Sequence, residues 1–74
     1  MREELIELLS EIRPEIDFEK ESNFIENGLF DSLDLATIIS EICERFDVDI
    51  GFDELKQENF DSLEAMLKLI EKYK

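Results

Sequence analysis

Apolar residues recur at spacings of three and four in three separate segments of this 74-residue chain. Such spacing places them on one face of an α-helix, and that face must be buried against a partner. The three stripes are Leu5, Leu8, Leu9 and Ile12; Leu35, Ile38, Ile39, Ile42 and Phe46; and Leu63, Met66, Leu67, Ile70 and Tyr73. Pro14 ends the first helix, because a proline disfavours helical backbone in the residue before it. No segment shows sustained alternation of apolar and polar residues, so strands are not expected.

The predicted fold is all-α: a small bundle of three main helices plus one short helix, with a long loop between the first two helices. A short helical turn is expected around Phe52–Lys56. The length allows one domain, residues 1–74, with a core of modest stability. We expect that core to contain Leu5, Leu9, Ile12, Leu35, Ile39, Ile42, Phe46, Ile50, Leu63, Leu67 and Ile70.

Acidic residues outnumber basic residues by 21 to 8, which gives a formal net charge of −13. Nucleic-acid phosphates and anionic membrane surfaces are bound through Lys and Arg, so both are poor candidates for partners. We expect a protein partner with a basic patch, whose association weakens as salt is added. The chain has no apolar run like that of a signal peptide or a membrane span, so we predict a cytoplasmic monomer without membrane insertion.

The chain has no His and a single Cys, Cys43. It therefore cannot form a Cys/His zinc site, a Ser-His-Asp triad, a Cys-His pair or an internal disulfide. We predict that it is not an enzyme, with no catalytic residues and no metal site of its own. The helical spacing of Cys43 from Ile39 and Phe46 indicates a small residue at the edge of the core.

The second and third helices begin with similar tetrapeptides, Asp31-Ser32-Leu33-Asp34 and Asp61-Ser62-Leu63-Glu64. An Asp or Ser at this point supplies an acceptor for free backbone N–H groups, and the acid that follows lies near the positive end of the helix dipole. Helix capping alone accounts for both motifs. By spacing and capping, Ser32 and Ser62 are nearly equal candidates for a functional serine.

Capping does not explain the 17 residues from Pro14 to Phe30, which lack periodicity. Loops longer than about 12–15 residues are uncommon in compact domains unless they serve a function. This one is rich in apolar residues, so we expect it to pack across the bundle. Gly28 supplies backbone freedom where the chain turns towards the helix. The loop thus delivers Ser32 to the start of a helix at one end of the molecule.

The end of the loop and the start of the second helix read Gly28-Leu29-Phe30-Asp31-Ser32-Leu33. Together with the second stripe, the segment Phe46–Ile50 and the segment Asn59–Leu63, this pattern resembles the acyl and peptidyl carrier proteins. It is similar to discrete aminoacyl carriers such as the D-alanyl carrier protein, and to some discrete acyl carriers. The resemblance implies an acyl or aminoacyl group held as a thioester on a 4′-phosphopantetheine arm and shuttled between enzymes.

The resemblance further implies that the arm is attached to Ser32, because the family's modified serine follows a long loop and precedes the middle helix. Ser62 lacks that context. Asp31 would cap the helix and help to coordinate the metal ion of the phosphopantetheinyl transferase. With no His in the chain, no residue could act as a base towards Ser32 near neutral pH, so Ser32 is predicted to be a substrate of that transferase.

A polar face follows Ser32 along the second helix, and it consists of Asp34, Thr37, Glu41 and Glu44. It is either a solvated surface or, as in carrier proteins, a docking strip for basic patches on the adenylating or acyl-loading ligase and on acceptor enzymes. The strip contains fewer acidic residues than the corresponding surface of fatty-acid carriers, which weakens the case for a fatty-acid synthase partner. Leu33 lies off the apolar stripe, and it either contacts partners or packs against the long loop.

Two other interpretations remain open. Asp47, Asp49, Asp53 and Glu58 approximate the ligand spacing of an EF-hand calcium loop, but Gly51 and Phe52 stand where a ligand and a turn glycine are needed. An acidic helical interaction adaptor without covalent cargo would have the same fold class, although it leaves the long loop unexplained. Pantetheinylation of the protein from its native host separates a carrier from an adaptor.

Overall fold

The computed structural model describes all 74 residues and contains no strand. Its elements are α1 (Arg2–Ile12), α2 (Ser32–Phe46), a 3₁₀ turn (Phe52–Glu54), α3 (Gln57–Phe60) and α4 (Leu63–Tyr73). The predicted all-α fold of three main helices and one short helix is confirmed. The turn expected around Phe52–Lys56 is the 3₁₀ turn, whereas α3 is a single turn and too short to show periodicity in the sequence. None of the helices combines the length and the apolar character needed to cross a bilayer.

The core lies where α1 packs against both α2 and α4. Every residue predicted for it is buried except Ile12, Leu35 and Leu67, which are half-buried. In α4 the structure buries Leu69 instead of Leu67. Leu67 and Leu69 lie on opposite sides of the line through Met66 and Ile70, so helical spacing alone does not decide which of them faces inwards.

The loop between α1 and α2 packs into the core, as predicted, through three phenylalanines. The rings of Phe18, Phe24 and Phe30 form a cluster with centroids 5.5–5.8 Å apart. The Phe24 N–H donates to the Asp61 carbonyl oxygen at 2.9 Å, which ties the loop to the segment before α4. Gly28 has a φ of +74°, the left-handed conformation for which a glycine was expected. The loop therefore has a fixed path that ends at the start of α2.

Candidate functional site

The N-terminus of α2 is closed by a reciprocal pair of hydrogen bonds between two acids. Asp31 is the N-cap residue, and its Oδ1 accepts a hydrogen bond from the Asp34 N–H at 2.9 Å. In return, Asp34 Oδ2 accepts from the Asp31 N–H at 3.1 Å. The predicted cap by Asp31 is confirmed, and this capping box sets where the helix begins.

Ser32 is the first residue inside α2, and its side chain is exposed to solvent. Its hydroxyl makes no hydrogen bond to the protein, and the backbone N–H groups of Ser32 and Leu33 have no partner within the chain. Free N–H groups at a helix N-terminus carry the positive end of the helix dipole, where an anion is favoured. Ser32 thus presents a free hydroxyl beside two unused donors.

The second Asp-Ser-Leu motif is used differently, because its helix starts one residue later. Ser62, not Asp61, is the N-cap of α4, and its Oγ accepts a hydrogen bond from the Ala65 N–H at 3.1 Å. Asp61 Oδ1 instead accepts from the Ile25 N–H of the long loop at 2.9 Å. Ser62 is half-buried and its hydroxyl is occupied, whereas that of Ser32 is free. This difference in register is invisible in the sequence, where the two motifs look alike.

An ion pair that sequence analysis missed joins the end of α1 to this site. The Arg13 guanidinium donates to Asp34 Oδ2 at 2.6 Å, the same oxygen that accepts from the Asp31 N–H. The hydrogen bond from Arg13 lowers the pKa of Asp34, against the opposing effect of burial. No pattern in the sequence indicates the pair, since 21 residues separate its members.

The polar face of α2 is less uniform than predicted. Thr37 and Glu44 are exposed and Glu41 is half-buried, but the Asp34 side chain is only 16% exposed and is bound to Arg13. Leu33 is 79% exposed, so the interpretation that it packs against the long loop is wrong. The surface next to Ser32 therefore consists of one apolar side chain followed by Thr37, Glu41 and Glu44.

The structure has no group of three or more His, Cys, Asp or Glu side chains placed to hold a metal ion, so it gives the calcium interpretation no support. Two open surface cavities, of about 350 and 200 Å³, are lined mainly by polar residues. Neither is lined by Ser32. The start of α2 thus offers an accessible hydroxyl beside free backbone N–H groups.

Comparison with known proteins gives one match. The family model described as the phosphopantetheine attachment site matches residues 2–70, which is nearly the whole chain. Searches of the curated proteins and of the solved structures found no significant match.

Proposed function

The chain belongs to the phosphopantetheine attachment-site family, and from this premise we propose that Ser32 is its attachment residue. Members of the family carry 4′-phosphopantetheine bound covalently. The observation that carries the proposal is the free, exposed hydroxyl of Ser32, in contrast to the Ser62 hydroxyl, which caps a helix. The arm's terminal thiol would hold an acyl or aminoacyl group as a thioester, for transfer between cytoplasmic enzymes.

The residues around Ser32 fit a phosphodiester. Its oxygens would lie near the unpartnered N–H groups of Ser32 and Leu33, which stabilise negative charge at the helix N-terminus. Attachment forms a bond from Ser32 Oγ to the pantetheine phosphorus of coenzyme A, with release of 3′,5′-ADP. Since the chain has no His, the transferase must supply the base that accepts the hydroxyl proton. Asp31 holds the helix start in place and would face the metal ion of that enzyme.

The docking strip for partners is proposed to consist of Leu33, Thr37, Glu41 and Glu44. Leu33 offers exposed apolar area, and the two glutamates attract basic patches on the transferase, the loading ligase and the acceptor enzymes. Charged recognition of this kind speeds encounter without requiring slow release, which suits a shuttle. Asp34, the fourth residue predicted for the strip, has its carboxylate committed to Arg13 and contributes mainly to the helix cap.

The test is intact-mass measurement after incubation with coenzyme A and a phosphopantetheinyl transferase. We expect the wild-type chain and Ser62→Ala to gain one phosphopantetheinyl group, and Ser32→Ala to gain none. Modification of Ser32→Ala would overturn the assignment. If protein purified from its native host never bears the arm, the chain is an adaptor and not a carrier.

A further inference from the structure

The second Asp-Ser-Leu motif has no part in the proposed attachment, yet its aspartate binds the long loop at three points. Asp61 is half-buried and lies at the junction of α3 and α4. Its Oδ1 accepts hydrogen bonds from the Ile25 N–H at 2.9 Å and from the Glu26 N–H at 3.4 Å. Its carbonyl oxygen accepts from the Phe24 N–H at 2.9 Å. Three consecutive backbone donors of the loop thus end on one residue.

The three donors belong to one helical turn of the loop, residues 24–28. The Gly28 N–H donates to the Ile25 carbonyl oxygen at 3.0 Å. The Leu29 N–H donates to the Phe24 carbonyl oxygen at 2.8 Å. These two hydrogen bonds form a Schellman motif, and Gly28 with its positive φ occupies the left-handed position that the motif requires. The turn is therefore closed at its C-terminal end by its own backbone.

At its N-terminal end, no neighbouring side chain caps the turn. The first N–H groups of a helical turn have no partner within it and need an acceptor from elsewhere. A helix usually takes that acceptor from the residue directly before it, as α2 does from Asp31 and α4 from Ser62. Here the acceptor is Asp61, 36 residues away from Ile25. Its carboxylate thus acts as a cap between two distant parts of the chain.

The capped turn leads directly to Ser32. Phe24, whose N–H donates to Asp61, packs edge-on against Phe30 with ring centroids 5.5 Å apart. Phe30 is buried and is followed by Asp31, the N-cap of α2, and then by Ser32. A continuous series of contacts therefore joins Asp61 to the backbone that carries the attachment hydroxyl.

We propose that Asp61 is a positioning residue for arm attachment. By capping the turn at 24–28, it fixes the path of the loop into α2 and so the place of Ser32. Without the cap the loop samples other paths, and only a fraction of the molecules present Ser32 in the arrangement that the transferase binds. The apparent affinity falls in proportion to that fraction, whereas the chemistry after binding is unchanged. This inference rests on the proposed attachment at Ser32.

The role requires an acceptor oxygen at this position but not its negative charge, and two variants separate these properties. Asp61→Asn keeps an acceptor oxygen in the same place and loses the charge. Asp61→Glu keeps the charge but displaces the oxygens by one methylene group, and Glu is not among the side chains that cap helices well. Asp61→Ala loses both the acceptor and the charge.

The test measures phosphopantetheinyl transferase kinetics on the full chain and these variants, with coenzyme A in excess and at a temperature where circular dichroism shows each to be folded. Asp61→Ala and Asp61→Glu should raise the KM for the carrier about fivefold, with kcat within about twofold of wild type. Asp61→Asn should keep a KM close to that of wild type. If Asp61→Ala does not fold, the Asn and Glu variants decide the test.

Ser62→Ala is the matched control, because it removes the neighbouring cap, that of α4, and leaves the loop bound to Asp61. It should keep the wild-type KM although it melts at a lower temperature. Amide hydrogen exchange gives a second measurement. The Ile25 and Glu26 amides should exchange faster in Asp61→Ala and Asp61→Glu than in wild type, and at the wild-type rate in Ser62→Ala.

A wild-type KM for Asp61→Glu, an equal rise in KM for Ser62→Ala or Asp61→Asn, or a loss confined to kcat would each overturn the positioning role while Ser32 remained the attachment residue. If the wild-type chain takes no arm, the proposed function fails and the positioning role fails with it. The wild-type reaction alone tells the two failures apart.

Discussion

The Arg13 guanidinium and the Asp34 carboxylate lie 2.6 Å apart and connect the end of α1 to the first turn of α2. The same Asp34 oxygen accepts from the Asp31 N–H, so the ion pair and the helix cap share one atom. The Arg13–Asp34 pair thus positions the backbone around Ser32, although Arg13 follows the last residue of α1 and is 21 positions away from Asp34.

We expect Arg13→Gln to lower the melting temperature by about 4 °C, in line with a partly exposed ion pair in a small domain. The pKa of Asp34 is lowered in the folded chain, so its contribution to stability is present above the unfolded value, near 3.8, and is lost as the pH falls through the folded value. The difference between wild type and Arg13→Gln should therefore be full at pH 7 and should shrink below about pH 4. Thermal melts across this range measure it.

Arg45→Gln is the matched control. Arg45 also connects α2 to α1, through Glu11 at 3.2 Å and Glu7 at 3.6 Å, but it lies at the other end of α2. Its removal should leave the amide resonances of Ser32 and Leu33 unchanged, whereas Arg13→Gln should move them. Equal shifts in both variants would mean that Arg13 has no special role at the site.

Alanine substitution should have different effects on the stability of the protein at the two serines. Ser62→Ala removes the N-cap of α4 and should cost about 1 kcal/mol, or roughly 4–8 °C of melting temperature. Ser32→Ala removes no hydrogen bond and should melt within about 2 °C of wild type, because the effect of an exposed substitution is small. Denaturation of both variants, alongside the mass assay, would separate a structural serine from a modified one. A clear loss of stability in Ser32→Ala would contradict the geometry described above.

Much of the fold could be predicted because its signals are local. The three apolar stripes, Pro14 and the acid-Ser-Leu caps each act within a few residues, and the helices begin and end near where they indicate. The packing of the long loop also followed from its content of apolar residues, three of which form the aromatic cluster.

The rest depends on contacts between residues far apart in the chain. Asp61 is drawn away from capping α4 by the backbone N–H of Ile25, 36 residues earlier, and Ser62 takes its place. Likewise Arg13 engages Asp34, which in sequence looked like one more free carboxylate of the docking strip. Neither the Ile25–Asp61 hydrogen bond nor the Arg13–Asp34 ion pair alters the local spacing of apolar, acidic and capping residues, so neither contact could be predicted from that spacing.

Charge reversal on the docking strip should slow arm attachment. Glu41→Lys with Glu44→Lys removes attraction for a basic partner, and we expect the transferase rate at low ionic strength to fall about tenfold. The matched control is Glu3→Lys with Glu71→Lys, which changes the net charge equally at exposed positions on α1 and α4. Added salt should bring the rates of the two double variants together, since it screens exposed charges beyond about 10 Å. Identical rates at low salt would remove the strip from partner recognition.

The last prediction concerns Tyr73, the only tyrosine in a chain without Trp, so that its ionisation can be followed by absorbance alone. Its hydroxyl donates to the Glu54 carboxylate, which raises the pKa of Tyr73 to about 12, because ionisation would place two negative charges side by side. A raised pKa means that the stabilisation by Tyr73 is complete below the unfolded value, near 10, and is lost as the pH rises through the folded value.

The stability difference between wild type and Tyr73→Phe should therefore narrow as the pH rises from 10 to 12. In concentrated salt, which screens the net charge of −13, folded wild type should titrate near 12, and the guanidinium-unfolded chain near 10. Glu54→Gln should lower the folded value towards 10, because the neighbouring negative charge is gone. A folded wild-type chain whose tyrosine titrates near 10 would show that the Tyr73 hydroxyl does not donate to Glu54.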